Sequence, residues 1–240
     1  MNNNKIKVIK NKKDAIIFLN QLIILTDKRM MRLKRALKDL EKFLSTHVEY
    51  DTKVPTDVYH RYSESIECTS DYLLNLLGDE TKTAVSYKQF RNVIEKQKKH
   101  EQLDFQLDKL EPEIVNLLNN IRNMRNWSHH VAQSLFNSQI EYMEKVSKIP
   151  KPLVEAQFSQ ADIHVLTWEY HEIDWLKELL EKSTENYEMF SKVFQRMKKD
   201  YSKLIGTSVR ISREKQMIAR PYKFNLIAEK SFDINTGKKK

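Results

Sequence analysis

Residues 14–45 read DAIIFLNQLIILTDKRMMRLKRALKDLEKFLS, and within them Ile23, Met30, Leu37 and Leu44 recur every seven positions. Leu33 and Leu40 fall between these, so the apolar side chains form one seam with charged residues opposite. A stripe of that period over so long a run specifies a long packed helix, from about Asp14 as N-cap to about Ser45.

The same reading extends outward. Pro55 and Asp57 open a second helix, in which Tyr62, Ile66, Thr69, Leu73 and Leu76 alternate spacings of four and three. Gly78 stands where a C-terminal cap is expected. A shorter helix covers about Ser86–Lys99, with Tyr87, Phe90 and Ile94 inward. Leu103, Leu107, Leu110, Ile114, Leu117, Ile121 and Met124 keep the spacing, and Pro112 either kinks that run or begins a new helix. The pattern continues through Leu135, Ile140 and Met143 until Ile149-Pro-Lys-Pro152 breaks it. A last long helix is expected from about Ser159 to Ile205, with Tyr187, Phe190, Phe194, Met197, Tyr201 and Leu204 on one stripe and Gly206 as its cap. From Thr207 the period fades, and Ser208–Ser212 and Tyr222–Ile227 read as short extended segments.

Three glycines and five prolines in 240 residues are too few for the turns of a sheet protein. The expected fold is all-α: an elongated antiparallel bundle of long helices over residues 1–206, then a basic arm or small hairpin of β or irregular structure over 207–240. Scarce glycine also excludes a phosphate-cradling loop and a dinucleotide-binding fingerprint. The single cysteine, Cys68, excludes an internal disulfide and a Cys-rich zinc site; on its apolar helix it reads as a buried structural thiol in a reducing compartment. No run reaches the ~18–20 apolar residues of a membrane span. The apolar run 15–25 behind the N-terminal lysines is broken by Asn20 and Gln21 and lacks a small-residue cleavage site. A cytoplasmic protein that does not engage a membrane is expected.

The formal charge of +9 is placed unevenly. Residues 1–13 carry five lysines and no acid, and residues 207–240 hold nine Lys or Arg against three acids, leaving −2 for the stretch between. Basic ends favour a polyanion through phosphate contacts and counterion release, and Arg210, Arg213, Lys215 and Arg220 of the C-terminal arm are the RNA-binding candidates there. Solvated, solubilising lysines account equally well for the last three residues.

Arg122-Asn-Met-Arg-Asn-Trp-Ser-His-His130 is the segment that reads as a chemical site. At ~100° per residue, with Arg122 as zero, Asn126 lies near ~40°, His129 near ~−20°, Gln133 near ~20°, Arg125 near ~−60° and His130 near ~80°. Met124, Trp127, Val131 and Leu135 take the other side, as an apolar anchor. Solvated helix faces are ordinarily filled by Lys and Glu, yet neither occurs from 122 to 140. Arg, Asn and His stand there instead.

Arg125-Asn126 followed by His130 resembles the HEPN motif, an Arg and a polar residue with a His four to six residues on. Arg122-Asn123 with His129 fits as well. The resemblance covers this motif and the helical plan. It implies an endoribonuclease that needs neither metal nor other cofactor, with a composite site where two motif helices meet in a homodimer. The histidine would serve as general base or acid, the arginine would bind the phosphate, and Asn126 would orient one of them. Arg125 and His130 are the favoured pair, with Arg122 and His129 as alternative pair or supporting charge and Gln133 as an RNA contact. Arg125 and His130 stand ~140° apart on a straight helix, which a bend or a second chain would have to reconcile. The family also suggests a toxin or phage-defence effector, with an antitoxin or regulatory partner. The alternatives are a non-catalytic helical module that binds a partner protein or nucleic acid, and a purely structural coiled-coil-like protein.

His164 and His171 stand seven apart, where single-helix metal ligands usually stand four apart, so no metal site is expected. Trp168, Tyr170 and Trp175 read as packing or interface residues. His47, His60 and His100 are isolated.

Overall fold

The computed structural model describes residues 9–47, 52–99, 103–129 and 167–213. Its regular elements there are α1 (Lys12–His47), β1 (Lys53–Pro55), α2 (Thr56–Gly78), α3 (Tyr87–Lys99), α4 (Pro112–His129), β2 (Tyr170–Glu172) and α5 (Ile173–Ile205). The fold is an all-α helical bundle with one small sheet. The chain divides after Val209; of the second unit, residues 210–213 are described and carry no regular secondary structure.

The α1 seam is the core. Ile23, Met30, Leu33, Leu37, Leu40 and Leu44 are all buried, extended toward the N-terminus by Ala15, Leu19 and Leu22. Truncating any one of the fully buried leucines to Ala would cost about 2–5 kcal/mol. The helix starts slightly before Asp14: Asn11 is the capping side chain, its Oδ1 accepting the Asp14 N–H at 2.9 Å, while Asp14 Oδ2 accepts the Lys10 N–H at 3.0 Å. The acid three residues into the helix reaches back toward its start, as in a capping box.

Side-chain contacts fix the helix directions. Phe43 meets Tyr62 and Arg29 covers Tyr72, so α2 runs antiparallel to α1. Asn20 donates to Tyr201 near the end of α5, so α5 also opposes α1. Lys192 pairs with Glu113 and Arg196 with Glu111, setting α4 against α5. Along α5, Phe190, Phe194, Met197 and Leu204 of the expected stripe are buried, with Tyr187 and Tyr201 partly so. Gly206 ends the helix at φ 76°, its N–H donating to Ser202 O at 2.9 Å. Tyr87, Phe90 and Ile94 turn α3 inward. Its N-terminus is capped by Ser86 Oγ, which accepts the Gln89 N–H at 3.0 Å.

Several boundaries depart from the sequence pattern. Residues 103–111 are not helical although their spacing is; α4 begins at Pro112, where a missing N–H costs nothing. The last helix does not reach back through 167–172. Tyr170–Glu172 pairs antiparallel with Lys53–Pro55, Val54 opposite His171, and the α5 helix starts immediately after. Thr56 N donates to Glu169 O and Ile173 N to Thr52 O, each at 3.0 Å, so this clip ties the start of α2 to the start of α5. The expected segments at 159–166, 130–152 and 222–227 lie outside the described residues.

A buried polar network, which hydrophobic periodicity does not reveal, holds the 103–111 segment. Asp200 accepts from Tyr87 Oη at 2.8 Å, Arg91 Nη1 at 3.0 Å and Arg196 Nη2 at 2.9 Å. The two arginines also donate to Asp108 O, at 2.6 and 3.0 Å. Burial pushes the Asp200 carboxyl up, against the pull of both guanidinium groups. Burial, then the charge of Asp200, puts the Tyr87 phenol well above its ordinary range.

Candidate functional site

The motif lies at the end of α4, and the packing of that helix decides where each motif residue points. Ile114, Leu118 and Ile121 are the buried positions, spaced four and three. Leu118 takes the place the pattern had given to Leu117, which is only partly covered, as is Met124. Extending the stripe by four reaches Arg125, and by three more, Ser128. Arg125 therefore stands on the inward line of the helix. Trp127, expected among the apolar anchors, is 59% exposed on the far side. The apolar content of Trp127 misled; the helical register set by Ile121 overrides it.

That register is locked by Gly78, the last residue of α2. A Cβ there would stand 2.6 Å from Ile121 Cγ2 and 3.0 Å from the Arg122 backbone N, so α4 would have to shift to seat against any residue larger than glycine. Gly78 is not the left-handed cap that its position had indicated. Among the described residues only Gly206 is a glycine with positive φ, and Asp79, extended, ends α2.

Arg125 is held in three directions. Its Nη2 donates to Asp79 Oδ2 at 3.1 Å, its Nε to Asn75 Oδ1 at 3.2 Å and its Nη1 to Asn126 Oδ1 at 3.3 Å. The Arg125 and Asp79 side chains are 17% and 16% exposed, so the pair is largely withdrawn from water. One turn on, Ser128 Oγ donates to Asp71 Oδ1 at 2.6 Å. Asp71, Asn75 and Asp79 recur every four residues along α2 and form a polar rail on which the end of α4 sits. The regular Asp-Asn-Asp spacing was visible in the sequence; its partner 46 residues away was not.

Arg122 is in a different position. It is 34% exposed, and its bonds are long: 3.4 Å to Glu80 Oε1 and 3.3–3.4 Å to the neighbouring Asn123. Glu80 is shared with Lys88, whose Nζ lies 3.4 Å from Glu80 Oε2 and donates to Asn119 Oδ1 at 2.9 Å. Burial lowers the Lys88 pKa, with Glu80 opposing and the charge of Arg122 adding to the fall. Asn126 is exposed. His129 ends the helix, seven residues from Arg122 and so within ~20° of the same line. The His129 side chain, His130, Gln133, Lys215 and Arg220 lie outside the described residues. Arg210 and Arg213 are exposed.

Beside the rail, the outer face of α2 carries a groove of ≈ 650 Å³ that includes Asp71, Asn75 and Asp79 in its lining. Cys68 lies in it and is exposed, not buried as the apolar helix had suggested. At the opposite end of α2, His171 stacks on Tyr59 with ring centroids 4.2 Å apart, and Trp175 lies 5.5 Å from His171. Trp168, Tyr170 and Trp175 are all exposed there. Among the described residues no group of three or more His, Cys, Asp or Glu is arranged to hold a metal ion, and no helix is long and apolar enough to cross a membrane.

No protein-family model, curated protein or solved structure matches the chain.

Proposed function

We propose that the chain is a metal-independent endoribonuclease of the HEPN type, acting in the cytoplasm as a homodimer. The observation that carries the reading is the division of labour between the two motif arginines. Arg125 is drawn inward and neutralised by Asp79, whereas Arg122 stays partly exposed on the line of His129 with only long bonds to release. An arginine that binds a phosphate must exchange its partners for the phosphate oxygens, and Arg122 gives up less in doing so. The reacting pair is therefore Arg122 and His129, with Arg125 setting the helix against α2. His130 and Asn126 are supporting groups.

In the reaction, a histidine takes the proton of a ribose 2′-hydroxyl as its oxygen attacks the adjacent phosphorus. The P–O5′ bond breaks, a second histidine returns a proton to the leaving O5′, and a 2′,3′-cyclic phosphate and a 5′-hydroxyl result. With one reacting histidine per motif, His129, the second chain of a dimer is the natural source of the other. The arginine stabilises the charge that develops on the phosphoryl oxygens. The basic arm, with Arg210, Arg213, Lys215 and Arg220, adds sequence-independent affinity for the RNA backbone. A toxin or defence role, restrained by an antitoxin or regulatory partner, follows from the same reading.

Cleavage of a fluorescent RNA in the presence of excess chelator is the test. His129→Ala should lower the rate by about 10²–10⁴-fold. Unchanged cleavage by both His129→Ala and His130→Ala would refute the proposal. A non-catalytic, partner-binding bundle is the second reading, favoured by the pairing of Arg125. It predicts RNA binding without cleavage.

A further inference from the structure

The groove on the outer face of α2 has an apolar floor and an acidic rim. Cys68, Tyr72 and Leu76 follow one another every four residues along the helix, and Val85 closes the end; Tyr72 and Val85 are both well exposed. Glu64, Glu67, Asp71 and Asp79 stand around them. Arg125 pairs with Asp79 and Arg29 lies 3.6 Å over the Tyr72 ring, but no lysine or arginine is itself among the lining residues, and Glu64 and Glu67 carry the exposed charge. From residue 64 to residue 79 the groove runs along about four helical turns, ~22 Å at ~1.5 Å per residue. A ridge of side chains at four-residue spacing is the shape against which another helix packs. The carboxylates crowd one another: burial first, then Asp71 and Glu64, pushes the Glu67 carboxyl up. Such a rim repels RNA phosphates and is relieved by a cation.

We propose that this groove docks a cationic amphipathic helix of a partner polypeptide. Its apolar side chains lie on Tyr72, Leu76 and Val85 while its lysines or arginines meet Glu64 and Glu67. This is recognition of a helix by a groove, with charge complementarity setting orientation. The docking does not depend on the ribonuclease reading. One consequence does: Asp71 and Asp79 also hold Ser128 and Arg125, so an occupant that draws on them alters the setting of the motif helix.

Cys68 is the chain's single cysteine and lies inside the groove, so its alkylation rate reports occupancy directly. The full-length protein is treated with a maleimide alone and with each of three four-turn synthetic helices: leucine–lysine, leucine–glutamate and glutamine–lysine. The leucine–lysine helix should slow the reaction about tenfold once it exceeds its Kd about tenfold. That protection should fall away in ~0.5 M salt and in the Glu64→Gln/Glu67→Gln protein, whose two replaced residues are exposed. The other two helices should leave the rate unchanged. Equal protection by the leucine–glutamate helix, no protection by any helix, or retention of protection in the double variant overturns the proposal. So does a thiol already unreactive in the free protein, which would mean a groove filled by the chain itself. Protection that rises with protein concentration alone would assign the groove to a second copy and also overturns it. RNA cleavage, read in parallel, fails or survives independently of Cys68 protection.

Discussion

Replacing Asp79 by Asn keeps the shape of the side chain and removes the charge that faces Arg125 Nη2 at 3.1 Å. The cost can be bracketed from the burial of the pair. An exposed ion pair is worth ~0–1 kcal/mol, and breaking a fully buried one costs ~3–5 kcal/mol. With about five-sixths of both side chains withdrawn from water, and Asn still able to accept one bond, a loss of about 1–3 kcal/mol is expected. Arg125→Gln should cost a similar amount, because it leaves Asp79 without its guanidinium. Together the two changes should cost less than their sum, with a coupling of about 1–2 kcal/mol. Urea unfolding followed by circular dichroism on the wild type, the two single variants and the double variant yields that coupling. Arg122→Gln is the contrast: its partner Glu80 is well exposed at 3.4 Å, so stability should move by less than ~0.5 kcal/mol while RNA cleavage falls. Additive losses for Asp79→Asn and Arg125→Gln, within ~0.3 kcal/mol, would refute the anchoring role. A destabilised but fully active Arg122→Gln would refute the assignment of the phosphate contact.

Gly78→Ala gains ~1 kcal/mol of helix propensity but places a methyl against Ile121 Cγ2 and a backbone nitrogen, at ~1–3 kcal/mol. A net loss of up to ~2 kcal/mol is expected, smaller in an Ile121→Ala background, and a clean stabilisation would mean that α4 sits farther away. Asp200→Asn should cost about 3–5 kcal/mol, since it leaves two buried guanidinium groups and a tyrosine facing a neutral amide; a variant as stable as the wild type in urea would contradict the network. Asp108 is held below the ordinary carboxylate range chiefly by its bond from Lys203, and Glu111 chiefly by its own backbone N–H and then Lys199. Depressed carboxylates stabilise the fold above the ordinary value of ~4 and lose that contribution as pH falls through their lower folded values. The thermal midpoint should therefore drop below pH ~4, less steeply in Glu111→Gln, and an identical slope in that variant would exclude Glu111 as a contributor.

What the sequence made legible was whatever follows from burial along one continuous helix. The Ile23–Leu44 heptad of α1, the Phe190–Leu204 stripe of α5 and the inward Tyr87, Phe90 and Ile94 of α3 all depend on an apolar side chain leaving water on one face. No knowledge of the partner is needed to infer them. Where a partner far along the chain decides the outcome, the same reasoning misleads. The stretch around Glu169–Glu172 continues a polar helix by composition, yet Lys53–Pro55, more than a hundred residues earlier, captures it as a strand. Gly78 is where a cap would be, and both a left-handed turn and a tight helix crossing demand glycine; only the approach of Ile121 tells them apart.

The motif helix shows the same limit at the one place where the proposed chemistry would depend on it. Amphipathic reasoning assigns arginine to water and tryptophan to the core. In α4 both assignments invert, because the register is set by Ile114, Leu118 and Ile121, and because Asp79 and Asn75 wait on α2 where the stripe next turns inward. A guanidinium can occupy that inward position only if its donors are met, and Asn75 and Asp79 of the rail, with the neighbouring Asn126, meet them. The charge pairing that makes Arg125 affordable inside the bundle is also what makes it a poor first choice for a phosphate. Arg122, ~60° round the helix, escapes the rail and stays partly exposed, with Glu80 3.4 Å away. Two arginines of the same motif, three residues apart, are thus separated by packing into one paired inward with Asp79 and one left partly exposed beside Glu80.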